Sequence, residues 1–235
     1  MPPANLDSYQ RVLDRIATAC QRSGRNPSDV TIVGVTKGHS SEILSKARAL
    51  KLTDLGENKV HEAIEKYSDA RVGAIDYSVR LHMIGHLQTN KAKLAVKLFD
   101  TIDTIDQPDT AQIVDKLAGE AGKRLRVLMQ VNTSGEPQKS GIEPDRAVEL
   151  GSCLLNLKNI DFQGFMTIGP LAGDERAVRK SFEDLREVRD RVSQELKIQS
   201  LPVLSMGMSD DFEWAIEEGA TEIRLGTILW GPREL

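Results

Sequence analysis

The stretch Val30-Thr31-Ile32-Val33-Gly34-Val35-Thr36-Lys37 decides the fold class, because it is a short apolar run, rich in β-branched residues, that ends on one amine. Followed by Gly38-His39-Ser40-Ser41, it is typical of a parallel-sheet strand that leaves into a helix. Lys37 then lies at the carboxyl end of a strand, where α/β proteins place their chemistry. A desolvated amine there could form a Schiff base with an aldehyde. From this segment alone, a solvated lysine at the start of a loop is the alternative.

Outward from this stretch, apolar runs alternate with amphipathic segments of helical length. The predicted strands are 30–37, 54–57, 80–85, 101–106, 124–132, 160–169, 201–207 and 222–227, and the predicted helices between them are 42–50, 59–67, 90–99, 109–119, 146–155, 175–196 and 211–218. A further amphipathic helix over residues 5–23 precedes the first strand. This order predicts an α/β fold, a single (β/α)8 TIM barrel domain over residues 1–235 with an extra N-terminal helix. An open doubly wound sheet is the alternative, because two of the strands are weak.

Composition narrows the function classes. Lys and Arg number 31 against 35 Asp and Glu, and no basic stripe with interleaved aromatics occurs, so a nucleic-acid partner is not expected. The chain has no apolar run of membrane-spanning length and no signal-peptide pattern at its start, so neither membrane insertion nor secretion is expected. Cys20 and Cys153 lie on different predicted helices without metal-ligand spacing, which predicts reduced thiols, a cytoplasmic location and no metal site.

In a barrel, the residues that follow the strands meet at one mouth. Small residues lie at the ends of strands seven and eight, namely Gly207 and Ser209 at the first and Gly226 and Thr227 at the second. Small residues with accessible backbone N–H groups just before a helix are typical of a phosphate site, and barrels commonly place such sites after strands seven and eight. Helix capping alone is the simpler account of either loop by itself.

Arg224 precedes Gly226 by two residues, so both face the same side, with Arg224 deeper in the barrel. Its partner is either a carboxylate, Glu57 or Asp210, or an aromatic ring nitrogen of a ligand. An aldehyde for Lys37, a phosphate for Ser209 and Thr227, and a ring nitrogen for Arg224 together describe pyridoxal 5′-phosphate (PLP).

The chain also closely resembles the PLP homeostasis proteins over essentially its whole length. The matching stretches are Val35-Thr36-Lys37, Gly56-Glu57-Asn58, His82-Met83-Ile84-Gly85-His86-Leu87-Gln88-Thr89-Asn90-Lys91, Lys139-Ser140-Gly141, Gly164-Phe165-Met166, Leu204-Ser205-Met206-Gly207-Met208-Ser209-Asp210-Asp211 and Arg224-Leu225-Gly226-Thr227.

The resemblance implies a barrel like the N-terminal domain of alanine racemase, with PLP held as a Lys37 aldimine. It also implies phosphate contacts around Ser209, Gly226 and Thr227, with Arg224 facing the pyridine nitrogen. The implied role is PLP (vitamin B6) homeostasis, in which PLP is buffered or delivered to PLP-dependent apoenzymes, with no firmly established catalytic activity.

The predicted cofactor-binding residues are Lys37, Asn58, His86, Met166, Ser205, Ser209, Arg224, Gly226 and Thr227. The alternative function is a PLP-dependent amino-acid racemase or a related fold-type III enzyme, which needs a proton-transfer group on the opposite face of the ring. Tyr9, Tyr67 and Tyr77 are predicted on helices or a loop remote from the strand ends, which argues against this alternative. A class I aldolase would use the strand-end lysine without the ring-nitrogen arginine.

Overall fold

The predicted apolar runs form eight parallel strands, which close into a barrel in the order of the sequence. The computed structural model describes residues 6–73, 79–136, 138–170 and 173–232. The strands are β1 (Thr31–Val35), β2 (Asp54–Glu57), β3 (Arg80–Met83), β4 (Thr101–Ile105), β5 (Leu125–Gln130), β6 (Ile160–Met166), β7 (Val203–Ser205) and β8 (Glu222–Leu225). The barrel prediction is confirmed, and the open-sheet alternative is excluded because all eight strands pair in order and β8 closes the ring by pairing with β1.

Each strand is followed by a helix, as a (β/α)8 barrel requires. The helices within the described ranges are α1 (Leu6–Arg22), α2 (Ile43–Ala49), α3 (Val60–Gly73), α4 (Ala92–Leu98), α5 (Pro108–Glu120), α6 (Ala147–Asn156), α7 (Glu175–Glu195), α8 (Phe212–Glu217) and α9 (Thr227–Trp230). The short helix α9 was not predicted, because the Gly226-Thr227 pair was assigned to the end of the last strand. At α7, the Asp174 side chain caps the first turn by accepting from Ala177 N at 2.9 Å.

Strand alternation separates an outer apolar face from an inner face that is partly charged. On β8, Ile223 and Leu225 belong to the apolar core beneath the helices, whereas Glu222 and Arg224 face the barrel interior. A small apolar cluster of Leu128, Met166 and Val203 fills another part of that interior. The barrel interior is therefore a packed layer rather than a pore.

Helix α1 confirms the predicted N-terminal helix and packs against α8. Its buried residues Val12, Ile16 and Ala19 follow helical spacing. The Arg15 guanidinium pairs with Glu213 at 2.6 Å and lies 4.6 Å from the Phe212 ring centroid, a cation–π distance.

Cys20 on α1 is buried, and Cys153 on α6 is half-buried; both are free thiols. None of the helices within the described ranges is both long and apolar enough to cross a membrane.

Candidate functional site

The strand ends of β1, β2 and β8 and the loop after β7 surround one cavity of about 220 Å³, here called the Lys37 cavity. Its walls combine an amine, a guanidinium and two hydroxyls with apolar side chains. The lining residues are Val35, Lys37, Asn58, Ile84, Ile168, Met208, Ser209, Asp210, Arg224, Gly226 and Thr227. The structure thus brings together six of the predicted cofactor-binding residues, namely Lys37, Asn58, Ser209, Arg224, Gly226 and Thr227.

The other three predicted residues lie outside this lining. His86 is exposed, with its Nδ1 3.8 Å from Asp106 Oδ2, and it lines a neighbouring cavity that shares Asn58 with the first. Met166 and Ser205 are fully buried below the cavity. The Ser205 hydroxyl accepts a hydrogen bond from Arg224, which does line the cavity.

Two neutral acceptors bind the Arg224 guanidinium. Its Nη1 donates to Ser205 Oγ at 2.8 Å, and its Nη2 donates to the Thr167 carbonyl at 2.7 Å. Among the described residues, no ion pair joins it to Glu57 or Asp210, the two carboxylates considered from the sequence. Burial lowers the pKa of Arg224, although the guanidinium stays charged at neutral pH. The result is a fixed buried cation at the bottom of the Lys37 cavity.

Below Arg224, the barrel interior contains a second charged group centred on His82. Its Nε2 lies 3.0 Å from Asp54 Oδ1, and its Nδ1 lies 2.8 Å from Asp103 Oδ2. Burial opposes the charge on the ring, but the carboxylates of Asp103 and Glu222 outweigh it and raise the pKa of His82 to about 10. The side-chain atoms of His82, Asp103 and Glu222 that could bind a metal ion lie within 4.8 Å of one another. Because both ring nitrogens already contact carboxylates, we describe this group as an ion-pair cluster that supports the barrel.

The loop after β7 reaches the cavity because Gly207 turns it. Gly207 has a φ of 92°, and a Cβ there would lie 2.5 Å from the Ala215 Cβ, so a side chain would clash. Ser209 then lies at the mouth, where its Oγ accepts from Ile228 N at 3.4 Å. That contact joins the loop after β7 to helix α9, so both predicted phosphate loops face the same space.

On the opposite side of the cavity, the end of β1 is bonded to its neighbours on both sides. The Val35 carbonyl accepts from the indole Nε1 of Trp230 on α9 at 2.9 Å. The Thr36 hydroxyl contacts Glu57 Oε1 at 2.7 Å and the Tyr67 hydroxyl at 2.8 Å. Lys37 thus follows two residues whose polar groups are bonded to other elements.

The comparisons with known proteins agree with this geometry. A family model described as "Alanine racemase, N-terminal domain" matches residues 7–234. The pyridoxal phosphate homeostasis protein of Aquifex aeolicus is 40% identical over 228 residues, which are 97% of this chain and 98% of the relative. The chain belongs to the pyridoxal phosphate homeostasis protein family.

Solved structures extend the family comparison. PipY of Synechococcus elongatus, whose structure was determined with PLP bound, is 34% identical with a TM-score of 0.81, and the match covers 94% of this chain and all of PipY. An alanine racemase from Clostridium difficile is 18% identical with a TM-score of 0.75, and the match covers 97% of this chain but 57% of the racemase. The second comparison shows the shared fold alone.

The expectation that the three tyrosines lie remote from the strand ends is wrong for Tyr67. Helix α3 turns this buried residue toward the barrel, so its hydroxyl meets Thr36 beside Lys37. Tyr9 is half-buried on α1, and Tyr77 lies outside the described residues.

Sequence reasoning also missed Lys66, which is buried on the same helix and bonded to Glu57 at 2.5 Å. The available signal was a lysine on the helix face that also carries Ala63 and Tyr67, since lysine is almost never buried unless paired.

Proposed function

We propose that this protein binds PLP in the Lys37 cavity and serves in PLP homeostasis, holding the cofactor on Lys37 for buffering or for delivery to PLP-dependent apoenzymes in the cytoplasm. One observation carries the proposal: an amine, a buried guanidinium and two hydroxyls line a single small cavity. The relatives named for pyridoxal phosphate homeostasis and the PLP-bound structure of PipY support it.

The side chains present fit PLP in charge and in shape. Val35, Ile84, Ile168 and Met208 supply apolar surface for the two faces of a flat ring. A cavity of about 220 Å³ is small for a ligand site, which suits a ligand with one ring. At the mouth, Ser209 and Thr227 supply hydroxyl donors for a phosphate, and the backbone at Gly226 lies beside them.

Each group has a separate task. Lys37 would hold PLP through its amine, and the bound cofactor would supply an aldehyde for that amine. Arg224 offers only donors, so it favours an unprotonated ring nitrogen and leaves the ring a weak electron sink. Weak activation of this kind suits storage and delivery.

We infer that the whole chain acts as one PLP-binding barrel domain. In this proposal, Asn58 and His86 lie at the edge of the PLP site, and Met166 and Ser205 lie beneath it. Among the described residues that line the Lys37 cavity there is no tyrosine to act as a racemase base. This composition supports binding rather than racemisation.

The proposal is tested by absorbance and covalent trapping. The protein is mixed with PLP, its visible spectrum is recorded, and the Schiff base is reduced with borohydride before peptide mass mapping. We expect a new visible band and a pyridoxyl group on the peptide that contains Lys37. Lys37→Ala should lose both signals, whereas the control Lys91→Ala should keep them. Label on Lys91 or Lys139, or no new band, would contradict the proposal.

A further inference from the structure

Helix α3 contacts the peptide groups on both sides of Lys37. Lys66 Nζ donates to the Thr36 carbonyl, just before Lys37, at 2.6 Å. Glu62 Oε1 accepts from the Gly38 N–H, just after Lys37, at 2.5 Å. Glu62 and Lys66 are one turn apart and contact each other at 3.3 Å. One turn of α3 therefore fixes the backbone at both flanks of the proposed PLP-binding lysine.

The Lys66 ammonium is unusual in its burial. Its side chain is 4% exposed, and its second partner, Glu57, is fully buried. The hydration that two buried charges lose offsets much of the attraction between them, so burial of the pair is by itself weak evidence that it stabilises the fold. Here the ammonium bonds to a main-chain carbonyl as well as to Glu57, so what it fixes includes the backbone that leads into Lys37.

Packing of α3 does not explain why Glu62 bonds to the backbone at Gly38. Its side chain is 29% exposed, so water could solvate the carboxylate at little cost. Instead it accepts from Gly38, whose φ of 72° is a conformation that favours glycine. The contact adds little apolar burial, and its direct effect is to fix the direction of the chain after Lys37.

We propose that Lys66 and Glu62 are positioning residues for Lys37, holding its backbone so that the amine enters the cavity at the angle that bond formation with an aldehyde needs. This inference rests on the proposed function, because it takes Lys37 as the residue that reacts with PLP. It makes a distinction between two ligands. Pyridoxal 5′-phosphate has the aldehyde that Lys37 attacks, whereas pyridoxine 5′-phosphate has an alcohol there and can bind only through its ring and phosphate.

The decisive experiment compares Glu62→Ala with Glu65→Ala, an exposed glutamate on the same helix. We expect Glu62→Ala to slow formation of the visible Schiff-base band with pyridoxal 5′-phosphate about tenfold, because small displacements of a reacting group are costly in rate. The dissociation constant of pyridoxine 5′-phosphate should stay within about twofold, since the cavity groups that hold ring and phosphate are untouched. Glu62→Gln, which keeps an oxygen acceptor for Gly38, should recover most of the rate.

A second measurement needs neither ligand nor variant. Gly38 and Gly135 are both exposed glycines with similar φ values, 72° and 68°. Amide hydrogen exchange in the ligand-free protein should be at least about tenfold slower at Gly38 than at Gly135, because the Gly38 N–H donates to a carboxylate.

Three results would overturn the inference while leaving the proposed function standing: equal weakening of both ligands by Glu62→Ala, an unchanged rate in Glu62→Ala, or unprotected exchange at Gly38. A parent protein that is not labelled on Lys37 would overturn the proposed function and this inference together. Should Glu62→Ala not fold, the exchange measurement on the parent decides.

Discussion

The two sides of the Lys37 cavity differ in where their polar groups are bonded. On the amine side, Lys37 is backed by Thr36, Glu57, Lys66 and Tyr67, which do not line the cavity themselves but are buried and bonded to one another. On the phosphate side, formed by Ser209 and Thr227, Ser209 is half-buried and Thr227 is exposed. The hydrogen bond that Ser209 Oγ accepts is long, at 3.4 Å. One side is therefore built into the folded protein, whereas the other keeps its hydroxyls available to a ligand.

This comparison predicts that changes on the amine side act mainly on stability. Lys66→Met should lower the free energy of unfolding by about 3–5 kcal/mol, because it leaves the buried Glu57 carboxylate without its cation. Urea unfolding measures the effect. The control Lys59→Met changes an exposed lysine next to the same helix and should shift the midpoint little. Equal urea midpoints for Lys66→Met and Lys59→Met would show that the bonded groups on the amine side do not stabilise the fold.

A second prediction concerns the ion-pair cluster that lies under both sides. The pKa of His82 is raised from 6.5 to about 10 in the folded protein, so the folded state binds a proton that the unfolded state releases. The contribution of His82 to the free energy of unfolding is complete below pH 6.5 and is lost as the pH rises through about 10. Between these values it falls by about 1.4 kcal/mol per pH unit.

Because of this group, the free energy of unfolding should be about 2–3 kcal/mol lower at pH 9 than at pH 7. His82→Gln should remove most of that difference, although it lowers stability at both pH values. A slope that is the same in the parent and in His82→Gln would mean that the ring is neutral in the folded state.

The smallest predicted effect comes from changes on the phosphate side, which should alter the affinity for PLP and leave stability unchanged. Ser209→Ala combined with Thr227→Val should weaken PLP binding about tenfold or more, a loss of at least about 1.4 kcal/mol, because the phosphate loses two hydroxyl donors and keeps the backbone N–H groups beside them. The unfolding midpoint should not move. Ser152→Ala, an exposed serine on α6, is the control. Loss of stability in the double variant would remove the contrast between the two sides.

The fold could be predicted because strand-length runs alternate with amphipathic helical segments along the chain, although β2 (Asp54–Glu57) is itself only weakly apolar. The strand ends were overestimated, as at β7, where the run 201–207 was predicted and only Val203–Ser205 is strand. Pro202 has no backbone N–H to donate, and Gly207 turns the chain with a φ of 92°. Lys37, Ser209 and Thr227 were found by one rule, that residues following parallel strands meet at one mouth.

The remaining site residues depend on depth and on helix orientation, which spacing along one chain does not give. Ser205 lies opposite Glu222 in the register, a layer below Arg224, and so it is buried rather than exposed to the cavity. Lys66 and Tyr67 lie on a helix, and the packing of α3 against β2 brings them to Thr36, just after β1.

The indole of Trp230 has a practical consequence. It is bonded to the carbonyl of Val35, a residue of the cavity lining, so one hydrogen bond separates it from the wall of the Lys37 cavity. Tryptophan emission overlaps the absorption of a PLP Schiff base, and the overlap permits energy transfer that quenches the emission. Replacing Trp214, the other tryptophan, with phenylalanine leaves a single emitter. The fluorescence of Trp230 can therefore be used to follow binding and release of PLP in real time.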